Sequence, residues 1–267
     1  MHGIARCVRG DFQKREIRWY LAAEALIFWG LIVLCWRVYP KANHYSILTH
    51  TFSFLGSFEA FHNPEWWWLF SIAMIFWGTA TLPAVLFLYR RFRVISRWAA
   101  GAGAVLLTLG CLGIALVGIF PDAHGNVIGA WEWTDIHEKA SILVAAGFTL
   151  GILWHGVLLL ADRFVLKKLS GNGDFNYRGV LWPYVFWGTV VCMAVHFQIQ
   201  SSMYYAQLKM AAALSGKSIG SHWAETIGTR YSFPLWENIV IYALFIFIVW
   251  FTGTMSNACS EENPPHS

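Results

Sequence analysis

Residues 98–120, WAAGAGAVLLTLGCLGIALVGIF, decide the fold. The run carries no charged side chain, and its length falls within the about 17–25 residues that a helix needs to cross a bilayer. Hydrocarbon offers backbone N–H and C=O groups no partner, so a run of this kind must be helical throughout. Working outward, five more apolar runs follow the same logic, at residues 19–36, 66–89, 140–161, 180–200 and 235–253. The chain is 57% hydrophobic and 13% charged, where soluble domains carry about 25% charged residues. The sequence predicts an all-α, six-helix transmembrane bundle formed by a single integral membrane domain over residues 1–267.

Lys and Arg positions set the expected orientation. Thirteen of the 19 basic residues fall in three segments. Arg6, Arg9, Lys14, Arg15 and Arg18 precede the first span. Arg90, Arg91, Arg93 and Arg97 fill the turn after the second, and Arg163, Lys167, Lys168 and Arg178 separate the fourth and fifth. Both termini are therefore expected in the cytoplasm, and the protein in the cytoplasmic membrane of a bacterium or archaeon. The net charge of +4 follows from this topology and from contact with anionic lipid heads. Basic residues that abut membrane spans give no reason to expect a nucleic-acid partner. The first span lacks a small-residue cleavage site after Trp36 and reads as a retained anchor. Five cysteines without Cys-x-x-Cys spacing support neither a thiolate metal site nor a disulfide on the outer face.

The connections on the opposite side are long, beyond the about 2–8 residues usual in helix bundles. They are also aromatic, with Trp66, Trp67, Trp68, Trp131, Trp133, Trp223 and Trp236. Trp at a bilayer boundary is ordinarily an interfacial belt. These outer loops also offer a surface for a membrane protein partner or for membrane lipids. Gly147-Phe-Thr-Leu-Gly151 is a small-xxx-small pattern that suits close helix packing, and Pro83 is expected to kink the second span.

Seven of the ten histidines map to this outer side: His44, His50, His62, His124, His137, His196 and His222. Glu59, Glu65, Asp122, Glu132, Asp135, Glu138, Glu225 and Glu237 lie there too. Imidazole and carboxylate bind Zn, Fe or Mn and transfer protons near neutral pH. Asp135 and Glu138 are accounted for by a capping-box-like helix start. His137 then stands free in the first turn of the fourth span. His196 lies inside an apolar run, where an ionisable side chain is costly and a functional candidate by default. Glu59, His62 and Glu65 have the spacing of a carboxylate-bridged site, although Pro64 disfavours helix at Asn63. The expected metal ligands are His62, His137, His196 and Glu59, around Zn or another divalent ion. Asp135, Asp122 and Ser53 are the expected catalytic groups. Nothing signals haem or a nucleotide. Glu24, toward the cytoplasmic side of the first span, is expected to pair locally or snorkel.

Ser53-Phe-Leu-Gly56 in the first outer loop, Gly118-Ile-Phe-Pro121 after the third span, and His137-x-x-Ala140 together resemble an uncharacterised six-span prokaryotic membrane family of the Frag/DRAM/Sfk type. The resemblance covers roughly residues 20–250. Its broader set includes eukaryotic proteins tied to lipid-anchor remodelling and membrane trafficking. Phe54 stands where the family pattern has Asp, and the His–Ala gap is one residue shorter. By chemistry, the inventory is also similar to the membrane hydrolases that include alkaline ceramidases and progestin-type receptors. Those place a Ser, an Asp and three His around Zn, and their closing His-x-x-x-His pair is absent here. Two functions are expected from the one-sided His and carboxylate placement and from the long aromatic outer loops. One is a metal-dependent enzyme acting on a membrane lipid, and the other a non-enzymatic lipid-binding or assembly subunit of a membrane complex.

Overall fold

A computed structural model describes residues 6–169, 175–215 and 229–257. Among these described residues, six helices are long and apolar enough to cross a bilayer. They are α1 (Lys14–Val38), α2 (Trp67–Phe92), α3 (Arg97–Ile119), α4 (Trp133–Ala161), α5 (Tyr177–Ser215) and α6 (Phe233–Asn257). The protein is an integral membrane, all-α bundle. Helices α1 to α4 pack in sequence, each on the next, and α6 packs against α5, α1 and α2. Helix α5 touches the bundle chiefly through α6.

Small residues set the tightest contact. A methyl group built on Gly147 of α4 would lie 2.4 Å from the Gly110 nitrogen of α3, so the two backbones touch where the sequence pattern foretold it. Aromatic rings fill the centre. Phe28 of α1 stacks on Phe245 of α6 at 4.8 Å and meets Trp77 of α2 at the same distance. Glu24 neither snorkels nor pairs within its own helix. It is buried and accepts a 2.7 Å hydrogen bond from Thr81 Oγ1 of α2. Pro83 is carried inside a continuous α2.

Trp19, Trp98 and Trp182 are exposed at one end of the spans, and Trp66, Trp68 and Trp131 at the other. Such rings at both ends match an interfacial belt. Trp236 departs from it. It is buried, stacks on Phe197 at 4.9 Å and donates from Nε1 to the Arg230 carbonyl.

Two helices are longer than hydropathy implied. Helix α4 begins at Trp133 because Glu132 is its N-cap and Asp135 the reciprocating N3 residue, with Glu132 N–H donating to Asp135 Oδ2 at 3.1 Å. The capping box therefore sits one turn before the Asp135–Glu138 start expected from sequence. Helix α5 has 39 residues, about 58 Å at 1.5 Å per residue, and continues past residue 200 to Ser215. Part of what reads as a long loop is thus helix.

At the end that carries the histidine-rich loops, a 3-10 turn, Phe52–Gly56, and a short hairpin, β1 (Asn126–Ile128) with β2 (Trp131–Glu132), cap the bundle. Gly56 is required there, since a Cβ would fall 2.2 Å from the Phe70 ring of α2.

Candidate functional site

The cap is sewn to the helices by side chains. Asn238 of α6 donates to the His50 carbonyl at 3.0 Å and accepts from both Tyr45 Oη and Tyr242 Oη, at 3.1 and 3.0 Å. Ser232 donates to the Leu48 carbonyl, and Asn63, fully buried, donates to the Leu55 carbonyl at 2.9 Å. The Phe52–Gly56 turn is thereby fixed over the ends of α2 and α6.

Two carboxylates reach that turn from different elements. Ser53 Oγ donates to Asp122 Oδ2 at 3.0 Å, and Thr51 and Ser53 hydroxyls lie 2.9 Å apart. Thr134, in the first turn of α4, shares its hydroxyl between Asp122 Oδ1 and the Ala123 carbonyl. The backbone N–H of Phe52 serves the carboxylate of Glu237 on α6, and Asp122 lies within electrostatic reach. Glu237 Oε2 is sealed from solvent and has no hydrogen-bond partner among the described residues. Adjacent residues of one turn thus hold two acidic groups. A buried oxygen without a donor is costly.

The histidines of the cap sit beside this pair. His62 is buried, stacked on Phe54 at 3.7 Å, with its Nδ1 3.4 Å from Tyr39 Oη. Burial pushes the Tyr39 phenol up to about 12, so Tyr39 keeps its proton. The pKa of His62 is pulled down to about 4, first by burial and then by His50, against an opposing pull from Asp122 and Glu59. The rings of His50 and His62 are 6.3 Å apart. His50 Nδ1 takes its hydrogen bond from Thr49 Oγ1 at 2.8 Å.

No family model, curated protein or solved structure matches this chain.

Of the residues expected to act, Ser53 and Asp122 are in direct contact. Glu59 accepts the His124 backbone N–H at 2.7 Å, which ties the first cap loop to the chain after α3. The segment from Glu59 to Glu65 is a turn closed by His62 N–H on the Glu59 carbonyl, so its spacing does not generate a helical face. Asp135 is exposed and engaged in the α4 capping box. His137 is buried and donates from Nδ1 to the Phe120 carbonyl at 2.8 Å, closing the end of α3. His196 is exposed on α5 beside Phe197. Helices α4 and α5 have only marginal contact with each other, and His62, His137 and His196 do not converge. Among the described residues, no three His, Cys, Asp or Glu side chains are grouped to hold a metal ion. His222, Trp223 and Glu225 lie outside the described residues.

Glu237 is the residue that sequence reasoning passed over as a site member. Its signal was the polar pair Glu237-Asn238 at the start of an otherwise apolar run. Thr51, Tyr45 and Thr134 carried no signal, because common hydroxyl residues in loops have no distinguishing pattern.

Proposed function

We propose that this membrane protein handles a membrane lipid on its capped face, with Ser53, Asp122 and Glu237 as the headgroup-level working site. The observation that carries this reading is the joining of Asp122 and Glu237 to consecutive residues of one turn, with an oxygen of Glu237 left unpaired. The site lies at the ends of apolar helices, where lipid headgroups begin. By the distribution of basic residues, this face is the outer one, and the membrane is the cytoplasmic membrane of a bacterium or archaeon. A metal-dependent lipid hydrolase built on His62, His137 and His196 does not fit the geometry, because those three side chains are apart.

Reconstitution in nanodiscs, followed by native mass spectrometry of retained lipid, tests the proposal. Asp122→Asn and Glu237→Gln are expected to lower retention without loss of the helical fold. Unchanged retention in both folded variants would sink it.

A second reading, an assembly subunit, is favoured by the extension of α5. Met203, Tyr204 and Met210 are exposed on it. If the full-length protein isolated from its native membrane in mild detergent carries no other chain, and runs as a monomer, that reading fails.

A further inference from the structure

We propose that the exposed stripe of α5 centred on Cys192 and His196 is the face on which a second copy of this chain packs, α5 against α5 within the membrane. The inference rests on the assembly reading above, names its partner, and is independent of lipid handling.

Exposure comes first. Helix α5 is the least buried of the six spans and touches the bundle chiefly through α6, to which Tyr184, Trp187 and Phe197 turn. At 3.6 residues per turn, Val185, Cys192, His196 and Met203 fall within about 40° of one line, on the face away from those rings. All four are exposed. Among the described residues, the His196 ring meets only its neighbour Phe197. The other spans show lipid apolar side chains or small hydroxyls such as Thr79, which bonds the Ile75 carbonyl of its own helix. Their ionisable residues Glu24 and His155 are buried. An ionisable side chain inside a span ordinarily faces the bundle interior or a water-filled cavity. His196 faces neither among the described residues, so its face calls for a partner.

The stripe is also shaped to receive a helix. Gly188 lies one turn before Cys192, and a methyl group built on it would meet nothing within 4 Å. With Ile199 it completes a series at positions 185, 188, 192, 196, 199 and 203, stepping by three or four residues, which is the seam of a helix pair. In lipid, small residues let two backbones approach, and His side chains then bond across the contact.

Depth selects a second copy as the occupant. Every copy inserts with the same orientation, because the same Lys and Arg residues set it. Two copies related by a two-fold axis along the membrane normal therefore bring Cys192 against Cys192 and His196 against His196. A neutral imidazole has one donor and one acceptor, so two of them can satisfy each other. The stripe carries no Lys, Arg, Asp or Glu and does not select a partner of opposite charge. A different chain would need a matching polar group at the same depth. A second copy supplies it by symmetry.

The test uses the full chain with Cys7→Ser and Cys259→Ser, reconstituted in lipid vesicles, so that Cys192 is the exposed thiol; Cys35 and Cys111 are buried. The oxidant copper phenanthroline joins two thiols only where they meet. A disulfide-linked dimer is expected through Cys192. It should form about tenfold faster than one through Met193→Cys in a Cys192→Ala background, since residue 193 is exposed but turned about 100° round the helix. His196→Leu and Gly188→Leu are each expected to slow crosslinking about tenfold, the first by removing bonds between helices and the second by filling the notch. His196 is exposed and Gly188 borders open space, so neither change disturbs the fold of one chain. No dimer through Cys192 overturns the proposal. Equal rates at the two thiol positions overturn it as well, because they mark random collision. So do rates that both His196→Leu and Gly188→Leu leave unchanged. If Cys192 in the native membrane crosslinks instead to a different protein, the second copy is overturned and the assembly reading stands. None of these outcomes touches lipid retention.

Discussion

Ser53 Oγ lies 3.0 Å from Asp122 Oδ2, a hydrogen bond between residues 69 positions apart that fastens the Phe52–Gly56 turn to the chain leaving α3. Thr134 donates to the other oxygen of the same carboxylate. Asp122 is thus a junction of three segments. Ser53→Ala is expected to cost about 1.5–3 kcal/mol, the range for a hydrogen bond to a charged group. Thr134→Val should cost less, because its bond to Asp122 is the longer one. Together they are expected to cost more than their sum, since Asp122 then keeps neither side-chain donor. Thermal unfolding in one detergent, read as a double-mutant cycle, checks this. Strict additivity would show that the two bonds are independent.

Acidification should loosen the cap. The folded-state pKa of His62 is about 4, against 6.5 for an ordinary imidazole, so on lowering the pH the unfolded chain takes up its proton first. His62 therefore contributes fully above about pH 6.5, and that contribution is lost progressively as pH falls toward 4. His50, pulled down by its own burial, acts in the same direction. Hydrogen exchange of residues 43–65 is expected to rise between pH 7 and pH 5 after correction for intrinsic rates. His62→Gln should flatten that response. A response of equal size in the variant would assign it to another group.

The bundle was legible because hydropathy acts over whole helices: each of the six apolar runs became a span. Gly147 was legible too, since its neighbour at position 151 marks a face that excludes side chains. The site was legible only in part. Ser53 and Asp122 were named from residue chemistry, and the structure supplies the contact between them. Glu237 was not, because no spacing in the sequence links it to Asp122 or to the Phe52–Gly56 turn. Helix α5 overran its expected end because residues 201–215, SSMYYAQLKMAAALS, are good helix formers but too polar to register as a span. Side-chain direction was the missing quantity for His196. Sequence places it near one end of a span, and only packing shows that it faces outward.

His137 and His196 should therefore behave differently. His137→Ala removes the donor to the Phe120 carbonyl and leaves a small void, for an expected cost of about 1–3 kcal/mol. His196→Ala, exposed on α5, should stay within about 0.5 kcal/mol of wild type. Unfolding midpoints of the two variants provide the comparison. A large loss on His196→Ala would mean that its side chain has a partner beyond those described.

The packing of α3 on α4 makes the sharpest stability prediction. At Gly147 a methyl group would collide with the Gly110 backbone at 2.4 Å and the Leu106 carbonyl at 2.9 Å, and backbone cannot rotate away. Gly147→Ala must push the helices apart, which also strips the neighbouring contact of Gly151 with Leu107. Overpacking of this kind costs about 1–3 kcal/mol. Gly101 lies on α3, and a methyl group placed there would find no atom within 4 Å, so Gly101→Ala meets no neighbour and gains the helix propensity of alanine. Its stability should match or exceed wild type. The two substitutions add the same methyl group to the same pair of helices, so their difference isolates the contact. Equal effects would mean that α3 and α4 do not approach through glycine, and the arrangement that positions Thr134 beneath Asp122 would fall with it.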